Sequence, residues 1–463
     1  MAGAAAESAG AAAGGARPGA AGGGDFPAAS RGESLRFNAL HLVPSLAQGL
    51  FLRRPRRVRW FTRLDTDGRA VRLCRRMVDR HGGAFWLRVG RDRSLLLADP
   101  EAIAHVLARS PELYGPPEIK VRGMSRFEPG AATISQGAAW RARRRFNEEV
   151  LDTGRDPHRL AAGFLALVRE EVARTVDGVG AGGGLAWPDL ARLFERVTLG
   201  IVFGPAAREE TGLTADLERL MRSANRPIGK GEPEVLARFQ AAIRRHLDDP
   251  QEGSLVALAD AAGPGGEPVE GQVPHWMFAT KDTLGTNVAR ALAVVGSHPR
   301  VERTVLAELA EADLASPRGI AGLDYLAGVL HEAMRLWPTT PLLSRKALRD
   351  DRIGGRTVPA GTQVLIFNLY NHRALDESPD EVRPERWAGG AADPRCNHLS
   401  GGPQVCAGVD LALFVGRAVL AGLLSRDRWT LERPRLDPER PMPHMLDPFT
   451  LRWRRASRSG GGG

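Results

Sequence analysis

One helical pattern sets the scale of any fold that this chain can adopt. Between Pro274 and Pro299, apolar residues recur at steps of three, four or seven, at Met277, Leu284, Val288, Leu292 and Val295. Pro274 suits a first helical turn because its missing N–H costs nothing there, and Pro299 stops the far end. The pattern predicts a helix over about Pro274–His298, roughly 38 Å long at about 1.5 Å per residue. A helix of that length has to cross a whole domain.

Helical patterns also dominate the rest of the 463 residues, and no linker or internal repeat interrupts the stretch from Phe37 to about Arg455. Amphipathic helices are predicted over His158–Val176, Leu190–Phe203 and Val301–Leu314. Strand patterns are fewer, and they predict a hairpin of Phe85–Val89 with Ser94–Ala98 and a further strand at Val364–Phe367. We therefore expect a mainly α fold with small β-sheets, in a single large domain.

The two ends of the chain differ in composition from this domain. Residues 1–24 are almost entirely Ala and Gly, so residues 1–32 are predicted to be a disordered arm, residues 33–455 the domain and residues 456–463 a flexible tail. The net charge is +10, yet only four of the 64 basic residues are lysines. This bias toward Arg, Gly and Ala is typical of a GC-rich genome, so we expect no nucleic-acid partner.

The segment Phe37–Leu52 is apolar and is followed by an arginine-rich stretch, which suggests a membrane anchor. Asn38, His41 and Pro44 interrupt it, however, and about 20 clean apolar residues are needed to span a bilayer. We expect it to pack on the domain, with an interfacial anchor as the alternative. The chain has three cysteines and no secretory signal pattern, which predicts a reduced, cytoplasmic protein and excludes a disulfide scaffold.

The most unusual local sequence runs from His398 to Gly408, with the letters HLSGGPQVCAG. Its glycines and its proline exclude a regular element, and a helical pattern begins at about Val409. Cys406 therefore precedes a helix N-terminus, where backbone N–H groups and the helix dipole favour a thiolate. Such a thiolate can be a nucleophile, a zinc ligand or a haem ligand, and a buried inert cysteine is the alternative. Zinc is disfavoured because no second cysteine or histidine pair completes four ligands.

Two polar clusters lie upstream of this loop. Glu332 and Arg335 share one helical face, and Arg386 follows in the segment Arg-Pro-Glu-Arg-Trp about fifty residues later. Trp140 and Arg144 are i and i+4 neighbours that could hold a carboxylate or a phosphate. Taken alone, each cluster is equally consistent with ordinary surface charge.

Taken together and in this order, the motifs resemble those of the cytochrome P450 family of haem-thiolate monooxygenases. The resemblance covers about residues 37–455. It depends on Glu-x-x-Arg at 332 and 335, Pro-Glu-Arg-Trp at 384–387 and Gly-x-x-x-Cys-x-Gly at 402, 406 and 408. It implies the cytochrome P450 fold, a domain that encloses haem b (iron protoporphyrin IX).

The resemblance also implies a role for each matching residue. Cys406 would be the axial ligand of the haem iron. The residues that would contact or frame the haem are Trp140, Arg144, Arg345, His398, Gly402, Cys406 and Gly408. A buried structural ion network would comprise Glu332, Arg335 and Arg386. On the long helix, Asp282 and Thr283 match the acid–alcohol pair that relays protons to dioxygen, although spacing alone equally fits an ordinary polar helix face.

Three residues depart from the family pattern. Leu399 stands where Phe is usual, and Gln404 stands where Arg or His usually binds a haem propionate. Because Gln is neutral, that salt bridge is expected to be lost or moved. Thr280 replaces the Gly that normally lets the helix bulge open for oxygen.

The resemblance implies a soluble, bacterial-type, monomeric monooxygenase that inserts one oxygen atom from O2 into an organic substrate. Its electrons would come from a separate ferredoxin and ferredoxin reductase, which could dock on Arg141, Arg143 and Arg145. The substrate pocket is expected to draw on residues 119–134, 276–283, 339–343 and 443–449, which are mostly apolar and predict a medium-sized apolar substrate. The alternatives are a haem enzyme of another reaction type (peroxygenase, isomerase or coupling catalyst) and a non-catalytic haem-binding recruitment protein.

Overall fold

The computed structural model describes residues 25–180, 183–226, 231–262, 269–389 and 393–457. Helices make up most of this part of the chain. In the first half they are α1 Arg31–Phe37, α2 Val43–Gln48, α3 Pro55–Arg63, α4 Thr66–His81, α5 Pro100–Ala108, α6 Glu118–Met124, α7 Gly137–Val150, α8 Ala161–Val179, α9 Trp187–Phe203 and α10 Thr211–Ala224. In the second half they are α11 Pro233–Asp248, α12 Leu255–Ala262, α13 Val273–Phe278, α14 Gly285–Val295, α15 Pro299–Glu311, α16 Pro317–Ala321, α17 Asp324–Leu336, α18 Asn368–Asn371 and α19 Val409–Arg426.

The strands form three small sheets. They are β1 Ala84–Val89, β2 Asp92–Leu97, β3 Tyr114–Gly115, β4 Gly184–Ala186, β5 Leu343–Ala347, β6 Asp351–Ile353, β7 Arg356–Val358, β8 Gln363–Ile366, β9 Asp427–Arg433 and β10 Arg452–Ser457. The largest sheet has the order β1-β2-β8-β5-β3, the second has β4-β10-β9, and β6 pairs with β7. The predicted hairpin is β1–β2, and its second strand pairs in parallel with β8, which joins the two ends of the domain.

Side-chain alternation in β2 explains how this sheet separates two cores. Leu95 and Leu97 pack with Ile103 and Val106 of α5, whereas Leu96 packs with a different cluster around Phe37. Successive strand residues point to opposite faces, so one strand serves both cores. A larger cluster fills the space between the helices, from α7 to the end of α19 and on into the β4-β10-β9 sheet.

The long helix predicted over Pro274–His298 is present, but it is not α-helical throughout. It consists of α13, a π-helical turn at Ala279–Leu284 and α14. The five apolar residues that predicted it are all buried. Around them α14 is almost wholly enclosed, as expected for a helix that is apolar on most sides.

The disordered arm predicted over residues 1–32 is too long by several residues. Residues 1–24 lie outside the described residues, but Phe26 is buried and its ring meets that of Trp86 edge to face at 5.9 Å. The Trp86 indole N–H donates to the Asp25 carboxylate at 2.6 Å, and α1 begins at Arg31. Trp86 of the first hairpin therefore holds the segment of residues 25–32 through its contacts with Asp25 and Phe26. At the other end, β10 continues to Ser457, two residues into the predicted tail.

The apolar segment Phe37–Leu52 packs on the domain only in part. Phe37 is fully buried, but Val43, Leu46 and Leu50 are exposed. Among the described residues, no helix combines the length and the apolar character that crossing a bilayer requires.

Candidate active site

The loop that carries Cys406 is held in a tight, non-regular conformation. Gly402 has φ +59°, and a Cβ built on it would lie 2.3 Å from the carbonyl oxygen of Leu107, so only glycine fits there. The Cys406 N–H donates to the carbonyl oxygen of Leu399 at 2.9 Å. The helix α19 then begins at Val409, as the sequence predicted. Gly402 thus shapes the loop, whereas Gly408 lines the cavity described next.

The Cys406 side chain faces a cavity of about 540 Å³, which we call the inner cavity. Burial raises the pKa of this thiol, while a hydrogen bond from the Gly408 N–H and the positive charge of Arg144 lower it. A bound metal ion supplies the charge that keeps a coordinating thiol deprotonated. The other two cysteines are buried in the protein interior.

The wall of the inner cavity carries three cations, Lys120, Arg144 and Arg345, and none of its described lining residues is Asp or Glu. Trp140 lines it as well. Arg144 donates to the carbonyl oxygen of Val405, next to the cysteine, and to Glu148 at 2.6 Å. Burial lowers the pKa of Arg345 to about 10, and the Nε of this residue is buried with no hydrogen-bond partner in the described structure.

Lys120 is the residue that the motif analysis missed. Burial and the charge of Arg345 lower its pKa to about 8. Gln404, where the family usually has a cation, also lines the inner cavity but is neutral. A haem has two carboxylates, and three cations fit that charge on a wall whose described lining residues include no Asp or Glu, even with Arg144 paired to Glu148 behind it. The sequence did offer a signal for Lys120: it is one of only four lysines, and it lies in the segment 119–134 that was expected to line the pocket.

The structure brings Glu332, Arg335 and Arg386 together in a buried network. Both carboxylate oxygens of Glu332 accept from Arg335, at 2.6 and 2.9 Å, and neither side chain is exposed. Arg386 approaches the same carboxylate at 3.5 Å, and the Trp387 indole N–H donates to it at 3.1 Å. Arg335 also donates to the carbonyl oxygens of three residues, His372, Pro379 and Glu381.

His398 belongs to the surroundings of this network. Its Nε2 lies 3.0 Å from Nδ1 of His331, and its ring meets that of Trp387 edge to face at 5.2 Å. Burial holds the pKa of His398 well below its usual range, so the imidazole is neutral. His398 also lines the inner cavity, but its side-chain contacts are with the scaffold.

Across the inner cavity, the π-helical turn contributes Ala279, Thr280 and Thr283 to the lining. The bulge that the family obtains with glycine thus forms here with Thr280 in place. Asp282 lies 3.4 Å from the Lys281 ammonium, and its other carboxylate oxygen is buried without a partner among the described residues. Burial raises the pKa of Asp282, and Lys281 opposes that shift.

A second cavity of about 770 Å³, the outer cavity, adjoins the first. The two share the lining residues Leu50, Phe51, Phe278, Thr283 and Thr339. All four segments expected to form the substrate pocket contribute to one or both of them. The expectation of mostly apolar walls holds for both cavities. The outer cavity also has charged lining residues, most of them outside the four segments: Arg53, Arg54, Arg56, Asp67, Glu218, Arg222, Lys281, Asp282 and Arg290.

Comparisons with known proteins agree with this geometry. A sequence model of the family described as cytochrome P450 matches residues 263–450. The chain is 26% identical over 391 residues to the cyclooctat-9-en-7-ol 5-monooxygenase of Streptomyces melanosporofaciens, an alignment that covers 75% of this chain and 83% of that protein. It is 29% identical over 216 residues to the probable cytochrome P450 4d20 of Drosophila melanogaster, covering 43% of this chain and 40% of the fly protein.

The same fold occurs in the retinoic-acid-bound cyanobacterial CYP120A1. The TM-score is 0.68 at 18% identity, over 83% of this chain and 94% of that one. A cysteine thiol that faces a cavity with cations for two carboxylates is the arrangement expected of a haem-thiolate protein. Residues 263–450 match the cytochrome P450 family, and the relatives and the shared fold support an oxygen-incorporating oxidoreductase whose prosthetic group is iron protoporphyrin IX. The resemblance drawn from the motifs, and the mainly helical fold it implied, are confirmed.

Proposed function

We propose that this protein acts in the cytoplasm as a monooxygenase on a medium-sized organic substrate with a largely apolar body. One atom of O2 enters the substrate, and the other becomes water with two electrons and two protons. The observation that carries the proposal is that Cys406 and Thr283 line the same inner cavity, one on the loop before α19 and the other on the π-helical turn. The Streptomyces relative is named as a monooxygenase of an organic alcohol, which supports this substrate class.

The bound haem supplies the redox chemistry with O2, and the chain supplies its environment. Cys406 would ligate the iron. Lys120, Arg144 and Arg345 would neutralise the propionates, with Trp140 beside them. The apolar part of the inner-cavity wall would exclude water and hold the body of the substrate.

Thr283 and Asp282 would deliver the protons. The Thr283 hydroxyl can both accept and donate a hydrogen bond, and it lies where the inner and outer cavities meet. Asp282 lines the outer cavity, where its raised pKa helps it to hold a proton for transfer. The pair would thus connect water in the outer cavity with the reacting oxygen in the inner one.

Electrons would come from a separate ferredoxin with its reductase. Arg141 and Arg145 are exposed on α7, four residues apart and therefore on one helical face. Their helix also carries Arg144, which contacts the backbone beside Cys406. Arg143, expected on the same surface, instead donates to Ser135 at 2.6 Å. The basic docking surface is therefore proposed as Arg141 with Arg145.

The test begins with the holoprotein. Its reduced carbonyl complex should show the thiolate-type Soret band, and substrates should be found by ligand-induced spin-state change. With ferredoxin, reductase and NADPH, we expect product in proportion to the NADPH consumed. Product formed only from added hydrogen peroxide would instead indicate a peroxygenase. Haem binding without turnover under either condition would indicate a recruitment protein.

A further inference from the structure

The outer cavity contains more positive than negative charge. Six cations and three acids line it. Part of this charge is paired within the chain. Lys281 contacts Glu218 at 2.6 Å and Asp282 at 3.4 Å, and Arg222 lies 3.7 Å from Glu218. Those pairs account for two of the three acids, and Asp67 is left for the remaining arginines.

Arg290 is held firmly but has no carboxylate partner. Its guanidinium donates to the carbonyl oxygen of Trp337 at 2.6 Å and to that of Leu446 at 3.2 and 3.4 Å. No ion pair links it to a described acid. Asp447 is near enough to influence it, but one oxygen of that carboxylate already accepts from the Phe449 N–H at 3.0 Å. Carbonyl groups fix the position of Arg290 without cancelling its charge.

Arg53 is the second cation without a partner. Within the described part of the chain its guanidinium makes no hydrogen bond or ion pair, although Asp67 lies close enough to raise its pKa against the effect of burial. Burial also raises the pKa of Asp67 to about 7, so this carboxyl is only partly ionised at neutral pH. Arg53 and Arg290 together therefore carry at least one positive charge that no acid lining the cavity balances.

A buried charge is costly unless it is paired. Two arginines that lack a carboxylate partner in a cavity, one of them fixed in place, are suited to a ligand that brings the missing charge, because a guanidinium matches a carboxylate in shape. A carboxylate supplies the negative charge that balances this excess.

We propose that Arg53 and Arg290 bind the carboxylate of an amphipathic organic acid, whose apolar body extends past Phe278 and Thr283 into the inner cavity. This inference rests on the proposed function, since it names the substrate class of the same site. Thr283, Thr286 and Arg290 all line the outer cavity at spacings of three and four, so they share one helix face. Seven residues span about 10 Å along a helix, so the carboxylate lies about that far from Thr283.

The experiment uses the ferric holoprotein and a panel of carboxylic acids with straight-chain, polycyclic and aromatic skeletons, each paired with its methyl ester. Dissociation constants come from the spin-state change and, independently of the haem spectrum, from calorimetry. At least one acid should bind tenfold or more tightly than its ester. Arg53→Gln and Arg290→Gln should each weaken that acid by at least tenfold and leave the ester unchanged, because removing one partner of a buried charge pair is costly.

The matched control is Arg57→Gln, an exposed arginine of α3 that does not line the cavity; it should bind acid and ester as the wild type does. Matching alkyl sulfonates test whether the site accepts any monoanion, and weaker binding than the acids supports the carboxylate assignment. The proposal is overturned if no acid binds more tightly than its ester, or if the protein with both Arg53→Gln and Arg290→Gln binds the acid normally. Failure of the proposed monooxygenase function would be seen separately, as tight acid binding without turnover.

Discussion

Arg335 and Arg290 lie on helices α17 and α14, which pack against each other, but the two arginines have different hydrogen-bond partners. Arg335 donates to both oxygens of Glu332 and to three backbone carbonyls, so its charge and its donors are satisfied from within the protein. Arg290 donates to backbone carbonyls only. The first arrangement is complete when the protein has folded. The charge of Arg290 is balanced only when an anion binds. Arg335 is therefore a structural arginine, and Arg290 is a ligand-binding one.

The same contrast applies to the two sides of the inner cavity. The side of Cys406 is joined to the rest of the fold by paired charges and backbone hydrogen bonds. The opposite side carries Thr280, Thr283 and, beyond them, the incompletely paired cations of the outer cavity. Substitutions on the Cys406 side should therefore mainly change stability, and substitutions on the opposite side should mainly change substrate chemistry.

The largest effect is expected at Cys406. Cys406→Ala should abolish the thiolate-type Soret band of the reduced carbonyl complex, since it removes the only thiol that faces the inner cavity among the described lining residues. Cys396→Ala is the control, because Cys396 is buried ten residues earlier in the chain and burial raises its pKa to about 12. Loss of the band in the Cys396 variant would show that Cys396, and not Cys406, is the haem ligand.

The next largest effect tests the two arginines directly. Glu332→Ala leaves Arg335 buried without its counter-ion and should cost about 3–5 kcal/mol of unfolding free energy. Arg290→Gln removes hydrogen bonds to carbonyls and no ion pair, so we expect about 1 kcal/mol. Denaturant unfolding of both variants measures the difference. Equal losses would remove the distinction between a structural and a ligand-binding arginine.

On the opposite side of the cavity, Thr283→Ala should change catalysis without changing haem content. Product formation should fall by about tenfold to a hundredfold, the scale of a lost proton-transfer group, while hydrogen peroxide release rises. The double variant Thr280→Ala, Thr283→Ala covers rescue by the neighbouring hydroxyl. Thr286→Ala is the matched control, since it lines the outer cavity alone. Normal coupling of NADPH to product in the double variant would exclude the proton-relay role.

Lys120 offers a test of how the neutral Gln404 is compensated. Lys120→Gln should speed transfer of haem to apomyoglobin by about tenfold, because a charged hydrogen bond contributes roughly 1.5 kcal/mol or more. Lys346→Gln is the control, as that lysine pairs with the exposed Glu118. An unchanged transfer rate for Lys120→Gln would show that Arg144 and Arg345 suffice for the propionates.

The smallest effect concerns pH and the outer cavity. Burial raises the pKa of Asp67 to about 7, with Asp65 adding to the shift and Arg53, Arg290 and Arg373 opposing it. Below pH 7 the carboxyl is protonated and Arg53 is free for a ligand. Above pH 7 it ionises and competes for that arginine.

Affinity for an organic acid should therefore fall by about threefold to tenfold from pH 6 to pH 8, while its ester shows no change. His444, which lines the same cavity, has a pKa lowered to about 4 by burial and stays neutral over this range. Spin-state titrations at each pH measure the effect. Asp67→Asn should remove it, and a persistent pH dependence in that variant would assign it to another group.

Local patterns were sufficient to predict much of this molecule. The helices α8, α9 and α15 follow apolar periodicity, and the β1–β2 hairpin follows its turn. The residues of the Glu332 network were recognisable because their motifs are short and ordered along the chain.

Properties that depend on tertiary structure were not predictable in the same way. Arg53 stands in a run of arginines of which most are exposed, and no local signal separates it from them. Arg290 did carry a signal, a lone cation within the apolar stretch of α14, but its meaning depends on which cavity it faces. Thr280 does not promote a bulge by its own propensity, so the π-helical turn could not be predicted from it.

That turn also sets the rotational phase of everything after it. A π-helical turn takes one residue more than an α-helical one, so α14 is rotated by about 100° relative to an uninterrupted continuation of α13. In a regular α-helix Arg290 would instead point in the direction of the buried Ala291, and the guanidinium would turn toward the core. One inserted residue thus couples the geometry beside Thr283 to the position of a cation two turns away. A single-residue deletion within 279–284 would restore a regular turn and leave Arg290 in place, so it should change the oxygen chemistry while the binding of the acid is kept.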